Sequence, residues 1–249
     1  MACPTEMNSI PTVTKNLLII NILMCLATFV GRTYGIELDE YLGLRFVLAD
    51  GFNAAQLITY MFMHGGFAHL FFNMFAVWMF GRILERVWGP RRFLFYYMVC
   101  GIGAALIQEL VVTVEYVSLC SQLPAEAIET VRQEGASVLA NGQNYINSAM
   151  GSLNVTLNGV TVGASGAVYA ILLGFGMLFP RQRMYIFPIP VPIQARWFVI
   201  GYALIELWAG FANNPSDNVA HFAHLGGMLF GLILILYWKK HDRNGYSYR

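Results

Sequence analysis

Six apolar stretches, each long enough to cross a lipid bilayer, constrain this chain more than any other feature. An α-helix rises about 1.5 Å per residue, so about 20 apolar residues span the hydrocarbon core of a membrane. Hydrophobic residues make up 57% of the chain and charged residues only 12%, outside the usual range of soluble domains. The sequence therefore predicts an all-α, polytopic membrane protein that forms one domain over residues 1–249. The predicted spans are residues 16–34, 67–88, 92–113, 162–180, 196–213 and 218–238.

The distribution of basic residues predicts the orientation of the chain, because lysine and arginine accumulate on the cytoplasmic side of membrane proteins. If the N-terminus lies inside, Arg32, Arg45 and Arg132 are the only basic residues placed outside. The others, with Arg243 and Arg249 among them, lie inside. We therefore expect both termini in the cytoplasm, as in a bacterial inner-membrane protein. The net charge of +1 gives no reason to expect a nucleic-acid partner.

Two connecting segments differ from the spans in composition. Residues 114–160 are the one long polar stretch and are predicted to lie outside the membrane, with a short helix near 124–135. Three prolines within residues 187–192 cannot belong to a continuous helix, because each removes a hydrogen-bond donor and disfavours the helical region before it. They predict an extended connector on the cytoplasmic side.

Polar side chains inside the spans are candidates for function, because they are costly in hydrocarbon. Spans two, four and six all run from outside to inside, so Asn73, Ser165 and His224 lie roughly 5 to 9 Å below the outer boundary. Three helices thus bring a carboxamide, a hydroxyl and an imidazole to one layer, as nucleophilic attack on a peptide bond requires. Two carboxylates, Glu109 and Glu206, also lie inside spans but belong to no motif.

Small residues on two of these spans predict close helix contacts. Gly166, Ala170 and Gly174 follow one another at four-residue steps in span four, and Gly227 and Gly231 form a GxxxG motif in span six. Small residues let helix backbones approach closely inside a membrane. We therefore expect spans four and six to lie near enough for a side-chain hydrogen bond.

Three motifs make the pattern specific. Residues 163–166, GASG, resemble the GxSG motif of the rhomboid proteases, and residues 223–231 resemble the AHxxGxxxG motif of that family. Residues 64–73, HGGFAHLFFN, are similar to its HxxxxHxxxN motif. The order, the spacing and the span numbers agree over about residues 55–235. The chain therefore resembles the bacterial type of this family of intramembrane serine proteases, which has a core of six helices.

The resemblance implies a role for each matching residue. Ser165 is the expected nucleophile and His224 the expected general base, in a dyad without an aspartate. His69, Asn73 and the backbone N–H of Ser165 are the expected donors of an oxyanion hole. Tyr169, four residues after Ser165 and so on the same helical face, is expected to stack on the catalytic imidazole.

The remaining positions of interest are a second histidine, a departure from the family pattern and a set of supporting residues. His221 is predicted to face the surface or water, since the motif assigns the base to His224. Ala55 and Gln56 stand where many relatives carry Trp-Arg in the first outer loop, so the anchoring of that loop is expected to differ. The supporting positions are Gly163, Gly166, Gly227, Gly231 and His64.

The function implied by the resemblance is cleavage of transmembrane segments of other proteins, in contact with the bilayer, at a site open to the extracytoplasmic side. No metal, nucleotide or other cofactor is expected. Several histidines occur near one another in the motifs, but no HExxH motif exists in any span and Asn73 is a poor zinc ligand.

Two other functions remain as alternatives. A catalytically silent relative would bind transmembrane clients without cutting them, but such relatives usually lack Ser165 or His224. A small transporter would carry several ionisable residues near the midplane and an internal repeat. Of the ionisable residues, only Glu206 is expected that deep, and no repeat is visible.

Overall fold

The chain is an all-α bundle with one short β-hairpin, in a computed structural model that describes residues 9–186, 189–212 and 219–241. A 3₁₀ turn follows α3, and a π-helical segment, Val77–Gly81, joins α4 to α5. The strands are β1 (Arg183–Ile186) and β2 (Ile189–Gln194). The helices are α1 (Thr12–Thr33), α2 (Leu38–Leu42), α3 (Gln56–Thr59), α4 (Phe67–Ala76), α5 (Arg82–Trp88), α6 (Pro90–Gln122), α7 (Ala125–Ala140), α8 (Ser148–Asn158), α9 (Ser165–Leu178), α10 (Ala195–Ala212) and α11 (His221–His241).

The long helices confirm the predicted all-α, polytopic membrane protein. Among the described residues, five helices are long and apolar enough to cross a membrane, namely α1, the continuous helix from α4 to α5, α6, α10 and α11. The fourth predicted span corresponds to α9, which is apolar but has only 14 residues. The predicted ends at residues 213 and 218 lie outside the described residues, as do Arg243 and Arg249 of the orientation argument.

The helix that contains the third predicted span continues beyond it. Residues 92–113 were expected to cross the membrane, whereas α6 continues to Gln122 and so takes in the first part of the predicted insertion 114–160. The helix ends where Leu123 turns to an extended conformation, at φ −112° and ψ 143°. Leu123 precedes Pro124, and the residue before a proline is driven out of the helical region.

The segment predicted as an insertion, residues 114–160, belongs to a small core of its own. A short helix was predicted near residues 124–135, and the structure has two, α7 and α8, which pack against each other and against the end of α6. Asn147 starts α8 by accepting hydrogen bonds from two backbone N–H groups. The buried apolar residues of this core are Phe46, Leu119, Val131, Leu153 and Leu157.

Helix α9 lies at the centre of the membrane bundle, where it contacts α6, α10, α11 and the π-helical segment. Small residues allow the contact with α11 that was predicted. A Cβ atom at Gly227 would overlap the carbonyl oxygen of Gly166, and one at Gly231 would overlap the hydroxyl of Tyr96. The same hydroxyl donates to the carbonyl oxygen of Ala170 over 2.7 Å. The two helices therefore meet backbone to backbone.

A buried carboxylate holds the start of α1. Glu85, only 3% exposed, accepts hydrogen bonds from the N–H groups of Val13 and Thr14 over 2.9 and 2.7 Å. It also accepts one from the Thr14 hydroxyl over 2.7 Å. The first N–H groups of a helix lack acceptors within the helix. Glu85 supplies them and so ties α1 to α5.

Gln56, one of the two residues that depart from the family pattern, anchors the loop between α2 and α3 from a buried position. Its side chain is 2% exposed. The amide nitrogen donates to the carbonyl oxygens of Tyr41 and Gly51, each over 3.2 Å. The amide oxygen accepts from the N–H groups of Arg45 and Asn53, each over 3.3 Å. Four hydrogen bonds from one amide thus organise this loop.

The proline-rich connector is extended, as predicted, and forms a hairpin. Strands β1 and β2 are antiparallel, with Arg183 opposite Gln194 and Ile186 opposite Ile189. A two-stranded ribbon tolerates the prolines of β2 because each strand has an edge on which no N–H is required. Residues 187 and 188 of the predicted connector lie outside the described residues.

Candidate active site

Ser165 and His224 meet at the starts of two helices. Ser165 is the first residue of α9, and His224 lies in the first turn of α11 and is 7% exposed. The Oγ atom of Ser165 lies 2.8 Å from Nε2 of His224. A serine hydroxyl at this distance can pass its proton to a neutral imidazole, the step that makes it a nucleophile.

Gly163 shapes the loop that leads into Ser165. Its φ of +138° is strained for any residue with a side chain. A Cβ atom there would lie 2.8 Å from Cε1 of His69 and 3.4 Å from Oγ of Ser165. The absence of a side chain at Gly163 therefore leaves room for the imidazole of His69 on the side of Gly163 that also faces the hydroxyl of Ser165.

Asn73 provides a second donor on the same helix as His69. It lies one turn further along α4, which packs against α9, and is 6% exposed. Among the residues that the structure describes, its Nδ2 atom has no hydrogen-bond partner. A buried donor without a partner costs about 1 to 3 kcal/mol, so this one is available to an acceptor that arrives during a reaction.

The backbone of Ser165 adds a third donor. The first four N–H groups of an α-helix have no acceptor within the helix, and α9 begins at Ser165. The positive end of the helix dipole lies at the same place and favours negative charge. The site thus holds hydrogen-bonding groups from two helices, namely the side chains of His69 and Asn73 on α4 and the backbone N–H of Ser165 on α9.

Tyr169 packs flat on the imidazole of His224, in the arrangement that the resemblance implies. The ring centroids are 4.2 Å apart and the planes differ by 8°. The ring position follows from the helix, because Tyr169 lies four residues after Ser165 and so above it on the same face of α9. The stack limits the rotation of the imidazole.

Glu206 on α10 completes a network that the sequence argument did not assemble. The residue is 6% exposed. Its Oε2 atom lies 2.9 Å from Nδ1 of His224 and 2.7 Å from Nδ1 of His221, and its Oε1 atom accepts a hydrogen bond from the Tyr169 hydroxyl. The sequence signal was a lone glutamate inside an apolar span, which is costly unless paired. Its partners could not be read from any motif, since they lie on other helices.

Two further histidines lie near Ser165 and His224, one inside the Glu206 network and one outside it. The prediction that His221 faces the surface or water was wrong, because its side chain is 14% exposed and is hydrogen-bonded to Glu206. His64 precedes α4, is 2% exposed and packs edge-on against His69 at 5.1 Å between ring centroids. Burial, and to a smaller degree the neighbouring His69, lowers the pKa of His64 to about 4, so this ring is neutral at pH 7.

One group of side chains has the spacing of a cation site. Glu206, His221 and His224 each present one ligand atom, and these atoms lie within 4.8 Å of one another. The same atoms already hydrogen-bond to one another, and the second nitrogen of His224 faces Ser165. The hydrogen bonds account for the cluster without a metal, and the absence of a metal requirement stays a prediction.

Comparison with known proteins agrees with the architecture and the motifs. Residues 52–241 match the family model described as the Rhomboid domain. The chain belongs to the rhomboid family. One rhomboid relative, the putative rhomboid protease YdcA of Bacillus subtilis, is 30% identical over 183 residues, which cover 72% of this chain and 67% of the relative.

Rhomboid relatives from eukaryotic organelles match as well. Rhomboid-like protein 16, chloroplastic, of Arabidopsis thaliana is 25% identical over 77% of this chain, and Rhomboid protein 1, mitochondrial, of Saccharomyces cerevisiae is 26% identical over 74%. The aligned regions cover 50% and 42% of those two proteins. This chain thus spans about half the length of these relatives.

Proposed function

We propose that this rhomboid protein is an intramembrane serine endopeptidase, with Ser165 as nucleophile and His224 as general base. The observation that carries the proposal is the 2.8 Å contact between Oγ of Ser165 and Nε2 of His224. Relatives named as proteases support it, among them Rhomboid protease GluP of Bacillus subtilis and Rhomboid-like protease 5 of Toxoplasma gondii.

In the proposed mechanism, residues near Ser165 transfer the protons and stabilise the oxyanion. The hydroxyl proton moves to Nε2 of His224 while Oγ attacks the carbonyl carbon of the scissile bond. The resulting oxyanion accepts hydrogen bonds from His69, Asn73 and the N–H of Ser165, and one such donor is typically worth about 10² to 10³ in rate. The imidazolium of His224 returns the proton to the leaving amine. Water then hydrolyses the acyl-enzyme by the same route.

The substrate class follows from the position of the site in an apolar bundle. An intact transmembrane helix hides its carbonyl groups in hydrogen bonds, so a cleavable segment has to be locally unstable as a helix. We propose that such segments of other membrane proteins are the substrates, with small residues at the cleaved bond as the family resemblance implies. Neither a nucleotide nor a metal takes part in the proposed steps.

The proposed location is the cytoplasmic membrane of a bacterium, with both termini in the cytoplasm. The distribution of basic residues supports this orientation. Ser165 and His224 both lie at the N-terminal ends of their helices, and these ends then face the extracytoplasmic side. Single cysteines placed in the hairpin Arg183–Gln194 and in α7 should react with an impermeant reagent from opposite sides of the membrane.

Cleavage of a transmembrane substrate tests the proposed activity. Detergent-purified protein and its Ser165→Ala variant are incubated with a fusion protein that carries a glycine-rich transmembrane segment, with and without chelator. The wild type should cut within the segment regardless of chelator, and Ser165→Ala should not cut. Cleavage that survives Ser165→Ala, or that chelator abolishes, would reject the serine mechanism. Binding of the substrate without any cleavage would favour the silent client binder.

A further inference from the structure

We propose that Glu206 is a positioning residue for His224, so that the catalytic pair works as a Ser-His-Glu unit whose carboxylate comes from α10. The inference deepens the proposed function and rests on it. It adds a carboxylate to the dyad without an aspartate that the family resemblance implies.

The hydrogen bonds select one tautomer of His224. An ionised carboxylate accepts hydrogen bonds and donates none, so Nδ1 of His224 must carry a proton toward Oε2 of Glu206, 2.9 Å away. In the neutral ring the other nitrogen then bears a lone pair. That nitrogen, Nε2, lies 2.8 Å from Oγ of Ser165 and is ready to accept its proton.

The carboxylate is itself held in place from two sides. Oε1 accepts a hydrogen bond from the Tyr169 hydroxyl, and Oε2 accepts one from Nδ1 of His221 over 2.7 Å. The ring of Tyr169 also stacks on His224 at 4.2 Å. One residue therefore positions both the imidazole and the carboxylate, which leaves His224 little freedom to rotate or to shift.

Charge gives Glu206 a second effect during the reaction. When Ser165 attacks, its proton moves to His224 and an imidazolium forms 2.9 Å from Oε2. Glu206 is 6% exposed, and opposite charges attract more strongly in such surroundings than in water. The positive charge appears in the transition state and not before, so the carboxylate lowers the barrier rather than improving substrate binding.

A purely structural role is the competing explanation. The buried residues of α10 are Ala195, Val199 and Glu206, so the carboxylate also fastens this helix to α9 and α11. Loss of an anchor would lower stability and affect substrate binding and turnover together. Loss of a positioning group would lower kcat with little change in KM.

The test compares Glu206→Gln with Glu206→Asp, and uses Glu109→Gln as the matched control. Glu109 is the other carboxylate noted inside a predicted span. It accepts a hydrogen bond of 2.8 Å from the N–H of Val47 and takes no part in the Ser165 network. The glutamine amide is nearly isosteric but presents a donor, which can place the proton of His224 on the wrong nitrogen. In a Ser-His-Asp protease the equivalent change lowers kcat about 10⁴-fold.

The expected results separate positioning from anchoring. Glu206→Gln should lower kcat at least about 100-fold with KM within about threefold of the wild type. Glu206→Asp, which keeps the charge at a shorter reach, should recover at least about tenfold of that loss. Glu109→Gln should cleave at the rate of the wild type. A Glu206→Gln enzyme with the wild-type kcat, or a loss of kcat that Glu206→Asp does not partly restore, would overturn the inference.

Two further readouts keep the outcomes distinct. If Glu206→Gln does not fold, Glu206→Asp decides alone. A carboxylate that only anchors α10 predicts the wild-type kcat for a Glu206→Asp protein that melts at the wild-type temperature. A positioning carboxylate predicts a lower kcat for the same protein. If the wild type itself shows no Ser165-dependent cleavage, the proposed function fails and the inference fails with it. Cleavage that depends on Ser165 but is indifferent to Glu206→Gln removes only the inference.

Discussion

In the network of Ser165, His224 and Glu206, the contact between α9 and α11 differs in kind from the contact of α10 with those two helices. Helices α9 and α11 meet backbone to backbone at Gly166 and Gly227, and α9 is buried along most of its length. Helix α10 presents large apolar side chains outward, with Trp208 and Phe211 each 74% exposed. Glu206 gives this helix polar contacts with the site, in addition to the packing of Val199 against Gly176.

This contrast shows how a membrane protein aligns a hydroxyl and an imidazole. Lipid is as apolar as leucine, so burial alone gives little driving force between helices, and close packing has to supply it. The contact between α9 and α11 therefore sets the distance between Ser165 and His224. On α10 many apolar side chains face outward, and the hydrogen-bonded carboxylate of Glu206 adds a polar contact that joins this helix to α9 and α11.

Two glycine variants, one on α11 and one on α10, test the difference between the two helix contacts and should give the largest effect. Gly227→Ala places a Cβ atom on the carbonyl oxygen of Gly166, so α11 has to move away from α9. We expect a stability loss of about 3 kcal/mol and a fall in kcat of about 10²-fold or more, since a shift of about 1 Å at a catalytic group has that effect. Thermal unfolding and cleavage kinetics measure both.

The control is Gly201→Ala on α10, where a Cβ atom would meet nothing within 4 Å. An alanine in a helix interior is about 0.5 to 1 kcal/mol more favourable than glycine, so this variant should be at least as stable as the wild type and equally active. Similar losses from Gly227→Ala and Gly201→Ala would show that the two sides of the network are packed alike.

Truncation of an isoleucine on each side gives a smaller contrast. Ile171 on α9 is fully buried, and Ile171→Ala should lower the free energy of unfolding by about 2 to 4 kcal/mol through the cavity it leaves. Ile205 on α10 is 60% exposed, and Ile205→Ala should change it by less than about 0.5 kcal/mol. Equal shifts in melting temperature would place α10 inside the packed core and contradict the comparison.

Removal of the Tyr169 hydroxyl, which links α9 to Glu206 on α10, should have the smallest effect. Tyr169→Phe keeps the ring on His224 but loses the hydrogen bond to Glu206. A hydrogen bond to a charged group is worth about 1.5 to 3 kcal/mol, so kcat should fall about tenfold or somewhat more. The control is Tyr202→Phe on α10. The ring centroid of Tyr202 lies 6.1 Å from that of Tyr169, and the kcat of this variant should stay within about twofold of the wild type. An unchanged Tyr169→Phe would show that the hydroxyl does not position the carboxylate.

Much of the fold could be predicted because the membrane restricts the choices. Hydrocarbon forces each crossing segment to satisfy its own backbone, so long apolar stretches were sufficient to locate α1, α6 and α11. The boundaries were less accurate where local chemistry decides them. Helix α6 passes the predicted end at residue 113 because the next helix-disfavouring residue is Pro124.

The site was predictable only as far as its motifs extend. Asn73, Ser165 and His224 lie in short motifs near the starts of three predicted spans, which predicted one common depth, and the structure brings Ser165 and His224 into contact. Glu206 stands alone in α10, and its contacts depend on how that helix packs against two others. Nothing in the local sequence encodes that packing, so the carboxylate was noticed as an anomaly without a partner. His221 was misjudged for the same reason.

Labelling with a fluorophosphonate tests the central claim, the pairing of Ser165 with His224, most directly. The reagent reacts with a serine only when a base activates it, and mass spectrometry identifies the modified residue. The wild type should be labelled at Ser165, and His224→Ala should slow labelling by at least about 10³-fold while Glu109→Gln does not. A wild type that resists the reagent, or a His224→Ala protein labelled at the wild-type rate, would contradict the account.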